Sequence, residues 1–281
     1  MHDQQGEPAL TKGLTTLRGI RVLDFGHTVM GPTAGLILAD LGAEVIRIEA
    51  SPDGDQTRKL KGFGTGYFPF FNRNKKSVSI NLKTEAGLQL AQRLIATADV
   101  LIENFGPGTM DRLGLGYESL KPIHPRLIYL SLKGFSRGPY QDRVALDEIV
   151  QMMSGLAYMT GPPGQPLRAG SSVVDITGGM FGVIAVQAAI AERERTGQGQ
   201  KVGADLFGSA MFLMGQHLAY AALSDAPIPP MPARISAWAI YDQFTTEDGA
   251  RVFLGITSDR HWKRFCNVFE ASELAADTSL A

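Results

Sequence analysis

One carboxylate in this sequence stands in an unusual setting. Asp175 is the single charge in "AGSSVVDITGGMFGVIAV", residues 169–186, a run otherwise made of small, glycine-rich and apolar residues. A carboxylate placed there loses water, which is costly unless it is hydrogen-bonded or has chemistry to perform. Three roles are open. It can be the N-cap of a helix beginning at Ile176, or the partner of a buried cation. It can also be a nucleophile, kept ionised near neutral pH by the positive end of that helix. Capping and nucleophilic attack are compatible, and Gly178 and Gly179 leave space for a bulky group to approach.

Two further stretches carry residues suited to a ligand. "DFGHTVMGP" (24–32) follows a strand-like run, and His27 with the backbone amides near Gly31 would sit at the carboxyl end of that strand, where ligands gather in open α/β sheets. The competing reading is that Asp24 and His27 only satisfy a turn; position alone does not separate the two. "ENFGPGTMDRLGLG" (103–116) follows another strand and offers Asn104, Phe105 and Arg112. An aromatic ring beside a guanidinium suits an adenine and a phosphate, although the residues alone favour a plain strand exit with a surface arginine. "GFGTGY" (62–67) does not open a helix after a strand and lacks the Walker lysine, so it reads as a covering loop rather than a phosphate loop. The histidines at 2, 27, 124, 217 and 261 show no metal-ligand spacing, and no serine-hydrolase elbow is present.

The elements that would position these groups alternate in kind. "IRVLDF" (20–25), "EVIRIE" (44–49), "SVSINL" (77–82), "DVLIEN" (99–104) and "RLIYLSLKG" (126–134) read as strands. Helices are expected over 31–43 and over 84–97 with Thr84 as N-cap, over the run "LDEIVQMMSGLAYMTG", and over 176–195. Strands separated by helices predict an α/β fold with a Rossmann-like, doubly wound parallel sheet. "APIPPMP" (226–232) is the clearest linker. Beyond it, a hairpin with "EDG" at its turn and a helix over 258–269 begin a small α/β domain. The expected division is a disordered tail (1–16), a large domain (17–225), the proline-rich linker (226–232) and a partial small domain (233–281).

Bulk properties exclude several classes. With 27 basic and 28 acidic residues the net charge is -1, so no global field favours nucleic acid. A single cysteine, Cys266, excludes an internal disulfide and fits a reducing cytosol. The N-terminus lacks the apolar core of a signal peptide, and no uncharged apolar stretch is read as reaching membrane-spanning length. The expectation is a cytoplasmic protein that binds neither nucleic acid nor membrane.

Taken in order, the blocks "LRGIRVLDFGHTVMGP", "LADLGAEVIRIEASPDGDQTR", "FFNRNKKSVSINLKTEAG", "ADVLIENFGPGTMDRLGLGYESL", "PRLIYLSLKGFSRGPYQDR", "VDITGGMFG", "RTGQGQKV" and "TSDRHWKRF" resemble the class III CoA-transferase family, which includes formyl-CoA transferase, carnitine CoA-transferase and alpha-methylacyl-CoA racemase. The resemblance implies that Asp175 is the nucleophile, attacking an acyl-CoA thioester to give an aspartyl anhydride and then an aspartyl-CoA thioester. It places Asn104, Phe105, Gly106 and Arg112 on the CoA-binding segment, and Ile80 and Lys83 at the adenine pocket. His27 to Gly31 would face the thioester, with backbone amides there stabilising the oxyanion by about 3 kcal/mol per donor. Asp147 joins the CoA-binding set. CoA and acyl-CoA are then substrates, no cofactor is held permanently, no metal is implied, and the partners are an acyl-CoA and a carboxylic acid.

Three departures from the family pattern shape the expectation. The racemase branch has a His before its Asp where "RVALDEI" has Leu146 before Asp147, so α-proton exchange lacks one partner and a racemase or isomerase is the lesser alternative. Formyl-CoA transferase has Gln, Tyr and Arg where this chain has Val29, Leu146 and Ala50, which points away from oxalate or formate and toward a more apolar acyl group. Family members also continue past the point where this sequence ends, so a fragment, a shortened relative or one half of a two-chain enzyme is expected. A homodimer, a heteromer with a related subunit, and a non-catalytic CoA-binding subunit all follow from that.

Overall fold

The computed structural model describes residues 15–234, 236–238 and 240–277. In chain order the first unit contains β1 (Arg21–Asp24), α1 (Met30–Asp40), β2 (Glu44–Ala50), α2 (Tyr67–Phe71), β3 (Lys76–Ile80), α3 (Glu85–Ile95), β4 (Val100–Glu103), α4 (Thr109–Arg112) and α5 (Tyr117–Leu120). It continues with β5 (Ile128–Lys133), α6 (Asp147–Met153), α7 (Leu156–Thr160), α8 (Val173–Thr196), β6 (Lys201–Asp205) and α9 (Leu206–Leu223). The six strands form one parallel sheet in the order β3-β2-β1-β4-β5-β6. This is the doubly wound order of dinucleotide-binding folds, and it reverses direction between β1 and β4.

Alternation along the strands explains the two layers. Val22, Val100, Ile102, Ile128, Leu130 and Leu132 point to one face and pack with Ala34 and Leu38 of α1 and Val183 and Val186 of α8. Leu23, Leu101 and Tyr129 point to the other and pack with Ala91 and Ile95 of α3, Met110 and Leu120. Thr84 caps α3 through its side chain, accepting from Gly87 N at 3.2 Å, as its sequence predicts.

The second unit begins in the proline-rich stretch, with the compact division falling between Ile228 and Pro229. It holds the antiparallel hairpin β7 (Ile240–Thr245) and β8 (Arg251–Ile256), then α10 (Asp259–Val268), capped by Ser258, and α11 (Ser272–Ala276). Cys266 is buried and unpaired. Residues 1–14, most of the tail assigned from the sequence, lie outside the described residues.

Three expectations are corrected. The run "LDEIVQMMSGLAYMTG" forms two short helices because Gly155, at φ +83°, turns the chain between α6 and α7. The helix carrying Asp175 starts at Val173, so Asp175 lies inside its first turn and is not the cap. That helix runs for 24 residues, and it and Leu206–Leu223 are long and apolar enough to cross a membrane by length and composition. Gly178 and Gly179 of the first of them, expected to leave space for a bulky group, instead let it lie against α1: a Cβ on Gly178 would stand 2.4 Å from Met30 Cε, and one on Gly179 would stand 2.8 Å from Met30 O. They fill a tight helix contact rather than leaving open space for a ligand.

Candidate active site

The loops after β1 and β4 meet where the strand order reverses. His27 N donates to Asn104 Oδ1 at 2.7 Å, and Asn104 Nδ2 donates to His27 O at 3.0 Å. The two loops are thus stitched by a reciprocal pair, and the His27 and Phe105 rings lie 5.5 Å apart. Gly26 and Gly31 close the β1–α1 turn, since a Cβ on Gly31 would come within 2.6 Å of Gly26 Cα and 3.1 Å of Asn104 Oδ1. Thr28 holds φ +62° at the tip, a conformation that β-branched residues adopt only when their surroundings impose it.

A cavity of about 250 Å³ opens beside this stitch, and its wall includes His27, Asn104, Phe105, Gly106, Asp147 and Asp175. The structure therefore brings together six of the residues that the sequence nominated. Gly31 stands behind the wall, against Asn104. Ile80 is buried in the core at the end of β3, while Lys83 and Arg112 are exposed; none of these three lines the cavity. Arg112 donates to Thr109 Oγ1 at 3.0 Å. A second cavity of about 330 Å³ shares His27, Thr28 and Phe105 with the first and extends along the end of β2 past Ala50. The "GFGTGY" segment is a short 3-10 turn, and the adjoining Tyr67 OH lies 3.5 Å from Ser172 Oγ, at the start of α8.

Asp147 supplies the cap that was one of the roles open to Asp175. Its Oδ2 accepts from Val174 N at 2.9 Å and Asp175 N at 3.0 Å, while Gln151 Nε2 donates to Oδ1. Gln151 also accepts from Ala169 N at 2.8 Å, and Arg168 pairs with Glu148. Asp147 is thus bonded to the start of α8 and to Gln151 while standing in the wall of the cavity. With the cap supplied from α6, the Asp175 carboxylate has no hydrogen-bond partner among the described residues. Burial, and after it the charge of Asp147, raise its pKa from 3.8 to about 7. The sequence expectation was the opposite, a carboxylate held ionised by its helix. The first-turn dipole is real, but the amides that would carry it to the side chain are already bonded to Asp147.

Behind the His27 turn lies a buried charge network that sequence reasoning missed. Asp24 is fully buried; Lys75 Nζ donates to its Oδ2 at 2.7 Å and also to Pro32 O at 2.8 Å. Arg47 donates to Gly26 O and pairs with Asp55, with its Nη1 3.6 Å from Asp24 Oδ1. Burial alone would raise the Asp24 carboxyl, but Lys75 and Arg47 outweigh it and hold it below its ordinary value. Loss of water around the His27 ring, and after it the Arg47 charge, lower the His27 pKa and keep the imidazole neutral. A signal was present: Arg47 lies between Ile46 and Ile48 on an interior strand, where a guanidinium cannot reach water without a partner. On the other side, Glu103 accepts from Lys133 Nζ, Ser131 Oγ and Phe105 N, fixing the bend that presents Asn104 and Phe105.

Sequence and structure comparisons agree with this geometry. Residues 17–281 match CoA-transferase family III. The chain is 38% identical over 278 residues to a succinate–glutarate CoA-transferase of Agrobacterium fabrum, covering 94% of this chain and 69% of that protein. It is 40% identical over 277 residues to an acetyl-CoA:oxalate CoA-transferase of Acetobacter aceti, covering 96% of this chain and 70% of that one. A crystal structure of a Mycobacterium tuberculosis protein superposes with a TM-score of 0.83 at 34% identity, over 95% of this chain and 72% of its own. A Brucella suis CAIB/BAIF family protein superposes with a TM-score of 0.81 at 35% identity, over 95% of this chain and 73% of its own. With the switch-point site and the family match covering the same residues, the chain belongs to CoA-transferase family III and is a CoA-transferase by class.

Proposed function

We propose that this chain moves CoA from an acyl-CoA to a carboxylic acid, with Asp175 as covalent carrier. The supporting observation is the unpartnered Asp175 carboxylate, facing a cavity built from both switch-point loops. An Asp175 oxygen attacks the thioester carbonyl carbon; the C–S bond breaks, and the products are an acyl-aspartyl anhydride and CoA thiolate. The thiolate attacks the aspartyl carbonyl and releases the donor acid as its carboxylate, leaving an aspartyl-CoA thioester. An acceptor carboxylate attacks that thioester and expels the thiolate again. The thiolate then takes the acceptor's acyl group and frees Asp175. No proton is consumed overall.

The residues divide the work. The high pKa makes Asp175 a strong nucleophile once ionised, and the apolar wall keeps water from the anhydride. His27 N is occupied by Asn104, so it is not the oxyanion donor. That role falls to the Met30 and Gly31 amides at the start of α1, since Pro32 has no N–H and Thr33 N already donates to Val29 O at 2.8 Å. Neutral His27 and Phe105 bound the thioester and pantetheine side of the cavity. Leu146 lines the cavity where the racemase branch would need a base, so the exchange of α-protons is the weaker reading. A cytoplasmic setting, and assembly with a second copy or a related subunit, belong to the same proposal. Phe212 and Leu223, 73% and 88% exposed on α9, are apolar surface that such a partner would cover.

The test is incubation with a panel of acyl-CoA donors, trapping with hydroxylamine or borohydride, and peptide mass analysis. Modification at Asp175, absent in Asp175→Ala, is the expected result. CoA binding with no trapped adduct from any donor would identify a non-catalytic CoA-binding subunit instead. Deuterium entering the α-carbon in D₂O without an acceptor acid would identify an isomerase.

A further inference from the structure

Lys75 is a cation in a place that electrostatics alone would not choose. Its side chain is 1% exposed and meets the first turn of α1, the positive end of that helix dipole. Replacing a buried ion pair by apolar side chains is often neutral or stabilising, so stability does not account for a Lys75–Asp24 pair here. Its hydrogen bonds give a different reason.

The ammonium has three acceptors on three segments: Asp24 Oδ2 at 2.7 Å, Pro32 O at 2.8 Å and Asn72 Oδ1 at 3.1 Å. All three of its protons are used, and none is left for a ligand. Asp24 ends β1, and its other oxygen accepts from Gly26 N at 2.8 Å, while Arg47 donates to Gly26 O. The turn is therefore gripped at Gly26 by Asp24 and Arg47, and at Pro32 by Lys75. Gly35, one turn along α1, lets the two grips meet: a Cβ there would stand 2.5 Å from Asp24 Oδ2 and 3.0 Å from Lys75 Nζ. Between the grips lie His27, Thr28 and Met30, which line the Asp175 cavity. Thr28 holds φ +62° there, a conformation that persists only when both flanks are fixed.

We infer that Lys75 is a positioning residue for CoA transfer. By holding Pro32 O and Asp24 together, it sets the start of α1 against the end of β1, and with it the Met30 amide that would receive the oxyanion. The inference rests on the Asp175 carrier mechanism and its oxyanion donors. Lys75 is not part of the cavity wall and acts only through the main chain of the turn. Preorganised donors stabilise a transition state because they need not move as charge develops. An amide slightly out of place still admits CoA, since free CoA has no thioester carbonyl to receive. Loss of Lys75 is therefore a loss of kcat rather than of CoA affinity.

The experiment compares the native protein with Lys75→Met and with the double variant Asp24→Asn, Lys75→Met. In the double variant the amide oxygen at position 24 still accepts from Gly26 N, so the grip on Pro32 is lost without an unpaired carboxylate. Exchange of radiolabelled acid into acetyl-, butyryl- and succinyl-CoA, each against its own acid, gives kcat and KM for the fastest donor. Calorimetry with free CoA gives Kd, and urea unfolding gives stability. In the double variant stability is expected to recover, while kcat stays about thirtyfold or more below native and the CoA Kd stays within about threefold. Recovery of kcat together with stability would make Lys75 purely structural and overturn the inference. A loss of CoA affinity as large as the loss of kcat would overturn it too. Asp175→Ala is run alongside. Exchange surviving there removes the carrier mechanism and this inference with it; exchange lost there but native in the double variant overturns the role of Lys75 alone.

Discussion

Asn104 and His27 are bonded to one another twice, side-chain amide to backbone in both directions, across the point where the sheet reverses its strand order. The pair spans 77 residues of sequence and ties the two loops that bound the site. Each loop is then supported from outside, one by Arg47 on Gly26 O and the other by Glu103 on Phe105 N.

Asn104→Ala is expected to unlock this stitch. One backbone N–H and one C=O lose their partners, a cost of roughly 1–3 kcal/mol. Thermal unfolding should record that loss, and calorimetry should show CoA binding weakened by about tenfold or more, because the loops that receive it no longer share a fixed spacing. Asn104→Asp keeps the acceptor for His27 N but sets a carboxylate against His27 O, so it is expected to restore little.

Under the proposed mechanism, the high Asp175 pKa makes anhydride formation pH-dependent. Below pH 7 the carboxyl is mostly protonated and a poor nucleophile. Single-turnover acylation should therefore rise about tenfold per pH unit up to about pH 7 and level above it. A profile already flat between pH 5 and 8 would show that Asp175 is ionised throughout and that its burial does not govern the rate.

The same group links stability to pH. Unfolded, it titrates near 3.8; folded, near 7, so between those values the folded chain holds a proton that the unfolded chain has lost. This contribution to stability falls as pH rises through that window. Asparagine does not titrate, so Asp175→Asn should be more stable than the wild type at pH 8, with the advantage vanishing near pH 4. The full shift corresponds to about 4 kcal/mol, and solvent at the cavity mouth trims this to roughly 1–2 kcal/mol. Urea titrations at the two pH values measure it.

Removing Lys75 should be more damaging than removing either exposed cation in the same segment. Lys75→Met leaves Asp24 buried with Arg47 at 3.6 Å as its remaining ionic partner. Breaking a buried pair costs roughly 3–5 kcal/mol. The double variant Asp24→Asn, Lys75→Met is expected to recover much of that loss, a non-additivity that a double-mutant cycle will show.

Much of the architecture was legible because β-branched and apolar residues recur in short runs at regular intervals and the helices between them show their own period. Asp175 was legible as a charge in the wrong company. The sequence could not show which group would satisfy the start of α8: Asp147 lies 28 residues away, and only the packing of α6 brings it within 3.0 Å of Asp175 N. Burial of Asp175, and after it the charge of the Asp147 that took over the cap, reversed its expected ionisation. Gly178 and Gly179 misled for a related reason, since glycine marks a close approach without saying of what. The Asp24–Lys75–Arg47–Asp55 network was hidden because its four members come from separate segments, each unremarkable by itself. Ile80 and Lys83 entered through family likeness and Arg112 as a guanidinium beside an aromatic after a strand, and none of the three lines the Asp175 cavity.

The contact of Gly178 and Gly179 with Met30 and Thr33 has a consequence for how this site can change over evolutionary time. Asp175 stands one turn before those glycines, and His27 stands three residues before Met30 in the β1 loop. At Gly179 an added Cβ would stand 2.8 Å from Met30 O, so α8 lies close against the main chain of α1 and the acid is held in register with the β1 loop. New substrates must be accommodated by the opposing wall, residues 134–146, whose side chains can be exchanged without disturbing that contact.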